Sequence, residues 1–226
     1  MNHHEFAISL GGSIIMPGCE VDTKYLKEFS GLLSHYVERA AIVTGGGPLA
    51  RMYQNSLREL GVTDQQTLDK AGIGPTHQNA KHLVDALNAC SVSASYVPSL
   101  EAKRPDVPVW VTGGTRPGQT TDAVAVEWAR ILGYRQVINI TNTPYVFEIG
   151  PDGQPDKTKP IHELTSDAYL SLIGPDHVSG ENVPAGRSGI KIAKKYGIEF
   201  HVVGPSLNNL KRVFTGKPFK GTTIHP

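Results

Sequence analysis

The stretch Val111-Thr112-Gly113-Gly114-Thr115-Arg116-Pro117-Gly118-Gln119-Thr120-Thr121-Asp122-Ala123-Val124-Ala125 decides the fold. It opens in the apolar run Val107–Thr112, breaks at two glycines and passes into Ala123–Leu132, where Val124, Trp128 and Ile131 recur at helical spacing around Ala125 and Ala129. A strand, a glycine turn and an amphipathic helix in that order make one unit of a buried parallel sheet. The pattern recurs upstream, with Phe6–Leu10 running into Gly11-Gly12-Ser13 and Ala40–Thr44 into Gly45-Gly46-Gly47. Val137–Thr141 and Phe200–Val203 are two further predicted strands. Helices are predicted over Thr23–Val37, capped by Asp22 or Thr23, over Leu49–Leu60 and over Asn79–Leu87. All four apolar stripes are expected to face the core. The alternation predicts an α/β fold, a three-layer α/β/α sandwich around a mostly parallel central sheet.

Composition narrows the function classes. The 226 residues are 39% hydrophobic and 19% charged, enough for one substantial core. Lys and Arg total 22 against 21 Asp and Glu, a net charge of +1 that gives no field for a phosphate backbone, so no nucleic-acid partner is expected. Cys19 and Cys90 lie far apart and show no ligand spacing, which predicts two reduced thiols and no protein-held metal. The first residues, MNHHEFAISLGGS, carry no basic flank and no long apolar run, and no later stretch nears the ~20 apolar residues of a membrane span. A cytoplasmic protein without membrane contact is expected, with His3 and His4 solvated. EIGPDGQPDKTK at Glu148–Lys159 predicts an exposed turn or hairpin. With no internal repeat, a single domain of two lobes is expected.

The chemistry gathers in the loops. Glycine lets backbone N–H groups close around an anion, and a helix that starts just beyond adds its positive end. Three such loops at one sheet edge, where sites of parallel sheets collect, predict a polyphosphate site. Neither GxxxxGK[ST] nor GxGxxG is present, which excludes the usual nucleotide motifs.

At these loops the chain resembles the amino-acid kinase superfamily, in its archaeal-type UMP kinase branch. The matching segments are ISLGGSIIMP (Ile8–Pro17), VTGGGPLARMY (Val43–Tyr53), LDKAGIGPTHQNA (Leu68–Ala80), VTGGTRPGQTTDAVA (Val111–Ala125), INITNT (Ile138–Thr143) and GTTIHP (Gly221–Pro226), in the family's order over nearly the whole chain. The resemblance implies the amino-acid kinase fold over residues 1–226, with a UMP-binding lobe over about 1–135 and an ATP-binding lobe over about 136–226. It implies transfer of the ATP γ-phosphoryl group to UMP, giving UDP for pyrimidine nucleotide synthesis, with Mg²⁺ carried by ATP, in a homohexamer. Such transfer rests on positioning and charge stabilisation and needs no protein nucleophile.

The roles implied by the resemblance fall on particular residues. Asp122, Gly12 and Arg51 are the expected catalytic group. UMP is expected at Gly46, at Asp69 for its ribose hydroxyls, and at Thr115, Arg116, Pro117, Gly118, Gln119, Thr120 and Thr121 for its phosphate and base. ATP is expected at Gly12, Ser13, Gly47, Arg51, Thr141, Asn142, Phe147 and Gly150. Arg51 supplies a guanidinium fork that suits phosphate, though its place on a helix also fits a solvated residue. Asp69 and Asp122 equally fit helix caps.

The family pattern breaks on the donor side. Pro144 and Gly150 stand where relatives carry acids in TN-x-D-G-V-Y-x-x-D-P, and Gly186 stands where they carry the acid of an Asp-Pro-x-Ala-Ala-Lys run. Asp152 or Asp156 could replace a lost carboxylate. The basic run Arg187, Lys191, Lys194 and Lys195 fits phosphate contact and a solvated face alike. Two other functions therefore stay open: a nucleotide- or oxyanion-binding protein without transfer, and a kinase of another small phosphorylated acceptor.

Overall fold

The computed structural model describes residues 4–18, 20–174 and 183–226. His3 and Cys19 lie outside the described residues; Cys90 is a free thiol. The chain builds an eight-stranded sheet from β1 (Glu5–Leu10), β2 (Arg39–Thr44), β3 (Ala94–Tyr96), β4 (Val109–Thr112), β5 (Gln136–Ile140), β8 (Glu163–Thr165), β9 (Glu199–Val203) and β10 (Gly221–His225). Their order across the sheet is β3-β4-β2-β1-β5-β9-β10-β8, parallel throughout except where β10 runs against β9. The five predicted strands are present. β3, β8 and β10 were not expected, because runs of three to five residues with polar members carry little periodicity.

Alternate residues of each central strand feed different cores, so both faces are covered. The one-turn helix α1 (Gly12–Ile15) follows β1 directly and buries Ile14 and Ile15. Phe6, Ile8 and Leu10 of β1, with Ala40 and Ile42 of β2, pack under α2 (Thr23–Tyr36), α4 (Gln65–Ala89) and α8 (Leu207–Phe214). Ala7, Ala41 and Val43 face α5 (Thr121–Leu132) and α7 (Arg187–Tyr196) on the other side, where Trp128 is buried. The helix α2 is capped by Asp22, whose Oδ1 accepts from Tyr25 N at 2.8 Å. The segment Glu148–Lys159 is a hairpin, as expected: β6 (Val146–Ile149) and β7 (Pro155–Ile161) pair antiparallel, closed by Gly150 N donating to Gln154 O at 2.8 Å.

Two helices differ from expectation. The helix expected at Asn79–Leu87 starts at Gln65 and runs through Pro75, Gly72 and Gly74. Burial of one face outweighs these breakers, and Asp64 caps the start by accepting from Thr67 N at 2.9 Å. The stripe Leu49, Tyr53, Leu57, Leu60 was expected to face the core and does not. On α3 (Gly47–Glu59) only Ala50 is buried, whereas Met52, Tyr53 and the following Leu60 are 55%, 48% and 78% exposed. This helix packs on α4 through Ala50 and Gln54, so Met52 and Tyr53 point outward; periodicity defines a face without saying what covers it.

A buried histidine gives a pH dependence. His201 on β9 sits beside Phe219, its Nδ1 3.2 Å from Thr223 Oγ1, with Glu199 and His225 also near. Burial pushes its pKa down to about 4. Between pH 6.5 and about 4 the unfolded chain therefore binds the proton that the folded chain refuses, so stability falls as pH falls through that window. The loss approaches ~3 kcal/mol at most. Urea midpoints at pH 7.5 and 4.5 should converge between wild type and His201→Gln; a constant gap would refute the assignment.

Candidate functional site

The loops that follow β1, β2, β4 and β5 meet at the carboxyl edge of the sheet, because these strands are neighbours in the order β4-β2-β1-β5. Gly45 N donates to Leu10 O at 2.8 Å and Gly11 N to Ile140 O at 2.9 Å, joining three loops. The first two touch backbone to backbone. A Cβ at Gly12 would enter the Gly45 carbonyl and Gly47 N, and one at Gly47, where φ is +59°, would lie 2.5 Å from Gly12 C. Gly47 also opens α3, with Pro48 in its first turn.

The helix α4 holds these loops from below. Thr44 Oγ1 donates to Thr76 O at 2.8 Å, Asn79 Nδ2 donates to Gly45 O at 2.7 Å, and Thr76 Oγ1 accepts from Gly114 N at 2.7 Å. Asp69, two turns earlier, accepts from Gly118 N at 2.7 Å and ties down the tip of the third loop. The buried Thr76 hydroxyl also donates to Ile73 O, so Thr76→Val should leave the Gly114 N–H unpaired and cost about 1–3 kcal/mol. A urea titration checks this; an unchanged midpoint would show that the loop does not depend on the threonine.

Between α4 and the third loop lies a cavity of about 310 Å³. Asp69, Arg116, Gly118, Gln119, Thr120, Thr121 and Asp122 all line it, so seven of the expected residues face one space. Thr115 lines a second cavity of about 330 Å³ behind the loop and donates to Gln119 Oε1 at 2.8 Å. Pro117 lines neither, nor does Gly46, where a Cβ would lie 2.5 Å from Ala50 Cβ and 3.2 Å from Gly72 O. Arg51 is exposed on the first turns of α3, while Ala50 and Gln54 of that helix line the cavity. Gln54, Gly72, Ile73 and Thr76 had no expected role. Asp69, Gly72, Ile73 and Thr76 recur at three- and four-residue spacing, a signal hidden by reading no helix before Asn79.

Asp122 lies in the first turn of α5 and is 9% exposed. Thr120 stands at the cap position, and the Asp122 carboxylate turns instead to α7, accepting from Gly186 N–H through Oδ2. Two helix N-termini, those of α5 and α7, thus converge on one carboxylate.

On the other side of the Gly12 loop, Asn142 Nδ2 donates to Ser13 Oγ at 3.0 Å, and Thr141 N donates to Val203 O at 2.9 Å. Phe147 and Gly150 belong to the β6–β7 hairpin, where the Phe147 ring lies 6.1 Å from Tyr145. The acids Asp152 and Asp156 are engaged in the same hairpin. Asp152 accepts from Gln154 N, and Asp156 accepts from Thr158 N and Oγ1, bonds that hold its carboxyl below the usual range. Two members of the basic run are engaged as well: Arg187 donates to Gly174 O and Ile173 O, and Lys194 pairs with Asp167 at 2.6 Å. These bonds join α7 to α6 (Ser166–Leu172).

The layered sheet and its interlocked glycine loops define an α/β protein whose site lies at the carboxyl edge of parallel strands. The sequence model of the amino acid kinase family matches residues 6–204. The chain belongs to that family. It is 34% identical over 224 residues to the uridylate kinase of Thermoplasma volcanium, covering 98% of each chain. With the uridylate kinase of Natronomonas pharaonis it shares 32% over 225 residues, 97% of each. The crystal structure of uridylate kinase from Archaeoglobus fulgidus superimposes with a TM-score of 0.76 at 28% identity, over 97% of this chain and 99% of that one.

Proposed function

We propose that the chain is a UMP kinase, an ATP-dependent nucleoside monophosphate kinase that makes UDP for pyrimidine nucleotide synthesis. The observation that carries this reading is the cavity of about 310 Å³ in which Asp69, Arg116, Thr120, Thr121 and Asp122 converge. Full-length similarity to uridylate kinases supports it.

In the reaction an oxygen of the UMP phosphate attacks the γ-phosphorus of ATP, and the bond to the ADP oxygen breaks. Both partners are anions, so the protein's work is to align them and to balance their charge. Arg116 presents its guanidinium to the UMP phosphate, with the Thr121 hydroxyl and the Gly118 backbone beside it; Thr120 lines the same cavity, but its hydroxyl is buried against Gly186. Asp69 accepts from the ribose hydroxyls. Gly12, Ser13, Gly46 and Gly47 offer backbone N–H groups to the transferring phosphates, and Arg51 swings its fork in from α3. Thr141, Asn142, Phe147 and Gly150 take the ATP nucleoside side.

The donor set suits a Mg²⁺ carried by the nucleotide. Among the described residues no three His, Cys, Asp or Glu side chains form a metal cluster, and Mg²⁺ at such sites is held by substrate phosphates with one or two carboxylates. Asp122 is the buried carboxylate able to hold it, and the ion supplies screening of phosphate charge.

The exposed Met52, Tyr53 and Leu60 along and beyond α3 support a homo-oligomer, a hexamer by family resemblance, which light scattering after gel filtration would test. Among the described residues no helix is long and apolar enough to cross a membrane.

The test is a steady-state assay with ATP, Mg²⁺ and four acceptors: UMP, CMP, dUMP and AMP. The highest kcat/KM is expected for UMP. UMP binding without turnover would leave an acceptor-binding protein; turnover of another acceptor in its place would move the substrate class.

A further inference from the structure

The packing around Gly186 leaves no room for a side chain in its present arrangement. Gly186 is the N-terminal cap of α7. A Cβ there would run into Thr120 Oγ1, and would lie 3.0 Å from Thr120 Cγ2 and 3.2 Å from Asp122 Oδ2. One turn further on, a Cβ at Gly189 would lie 3.1 Å from Ala123 Cα and 3.3 Å from Ala123 N. Residues three apart share a helix face, so α7 offers two bare positions to the first turn of α5. Thr120, Asp122 and Ala123, the residues met there, form or flank the cavity wall. The Thr120 hydroxyl facing Gly186 is buried and has no hydrogen-bond partner among the described residues, so packing alone sets this contact.

We infer that Gly186 is a positioning residue for Asp122: its bare backbone lets α7 seat on α5, and its N–H fixes the Asp122 carboxylate at the cavity wall. The inference rests on the phosphoryl-transfer reading above for its catalytic consequence, and on geometry alone for the Gly186–Asp122 bond.

The test compares Gly186→Ala and Gly186→Asp in the wild-type and Thr120→Ala backgrounds. Gly186→Ala should lower kcat about tenfold to a hundredfold, with KM for UMP moving much less, since it misplaces a group rather than unfolding the site. Gly186→Asp should be worse, because it brings a longer, like-charged side chain against Asp122. In the Thr120→Ala background, where the obstructing side chain is shortened, Gly186→Ala should cost about twofold or less. Unchanged or improved kcat in either single variant, or equal losses in both backgrounds, would overturn the inference. A readout free of turnover accompanies it: the Gly186 amide proton, observed by NMR in glycine-labelled protein, should shift on Asp122→Ala. If wild type forms no UDP, the functional reading falls while the NMR result still decides the bond; an amide indifferent to Asp122→Ala removes the inference itself.

Discussion

Asp122→Asn should lower kcat for UDP formation by about a hundredfold or more, the scale of losing one preorganised charge at a phosphoryl-transfer centre. The substitution isolates charge from shape. An asparagine oxygen can still accept from Gly186 N–H, and the side chain has the same size, so the seat of α7 on α5 is kept. The melting temperature should therefore move by only a few degrees and KM for UMP by a small factor. Activity within about threefold of wild type would show that the carboxylate only caps the junction of two helices and takes no part in balancing phosphate charge.

The second large effect is expected at Gly12. A valine there would press its Cβ into the Gly45 carbonyl and Gly47 N, backbone atoms of a loop fixed from below by Asn79 and Thr76 of α4. Neither loop can yield cheaply, because Gly45 is also bonded to Leu10 of the adjoining strand. Gly12→Val should cost about 1–3 kcal/mol in stability and nearly all activity, since overpacking here displaces the phosphate-facing backbone. Gly31→Ala is the matched control. Gly31 lies in the interior of α2 with open space around it, and the substitution should stabilise by about 0.5–1 kcal/mol with activity unchanged. Equal tolerance at both positions in a urea titration would mean that the close approach of the two loops is not required.

The central βα units were legible because each strand is a continuous apolar run ended by glycine. Phe6–Leu10, Ala40–Thr44 and their glycine loops stand almost where they were expected, and the third loop with the start of α5 supplies one side of the cavity wall. The first half of α4 was not legible, since Gly72, Gly74 and Pro75 each oppose a helix locally and only tertiary burial of Leu68, Gly72 and Thr76 overrides them. That miss also hid Ile73 and Thr76 as wall residues. The outward face of α3 was misassigned for a different reason: its period of apolar residues is genuine, but the helix leans on α4 through Ala50 and Gln54 and presents Tyr53 to solvent. The role of Gly186 belongs to no local pattern. It arises where the starts of α5 and α7 meet, 64 residues apart in sequence.

The most direct measurement is ³¹P NMR of the wild-type protein turning over ATP, Mg²⁺ and UMP in one tube. UMP should disappear as the two resonances of UDP grow, in step with conversion of ATP to ADP and with no inorganic phosphate released. Release of inorganic phosphate with UMP unchanged, or no loss of ATP at all, would contradict phosphoryl transfer to UMP.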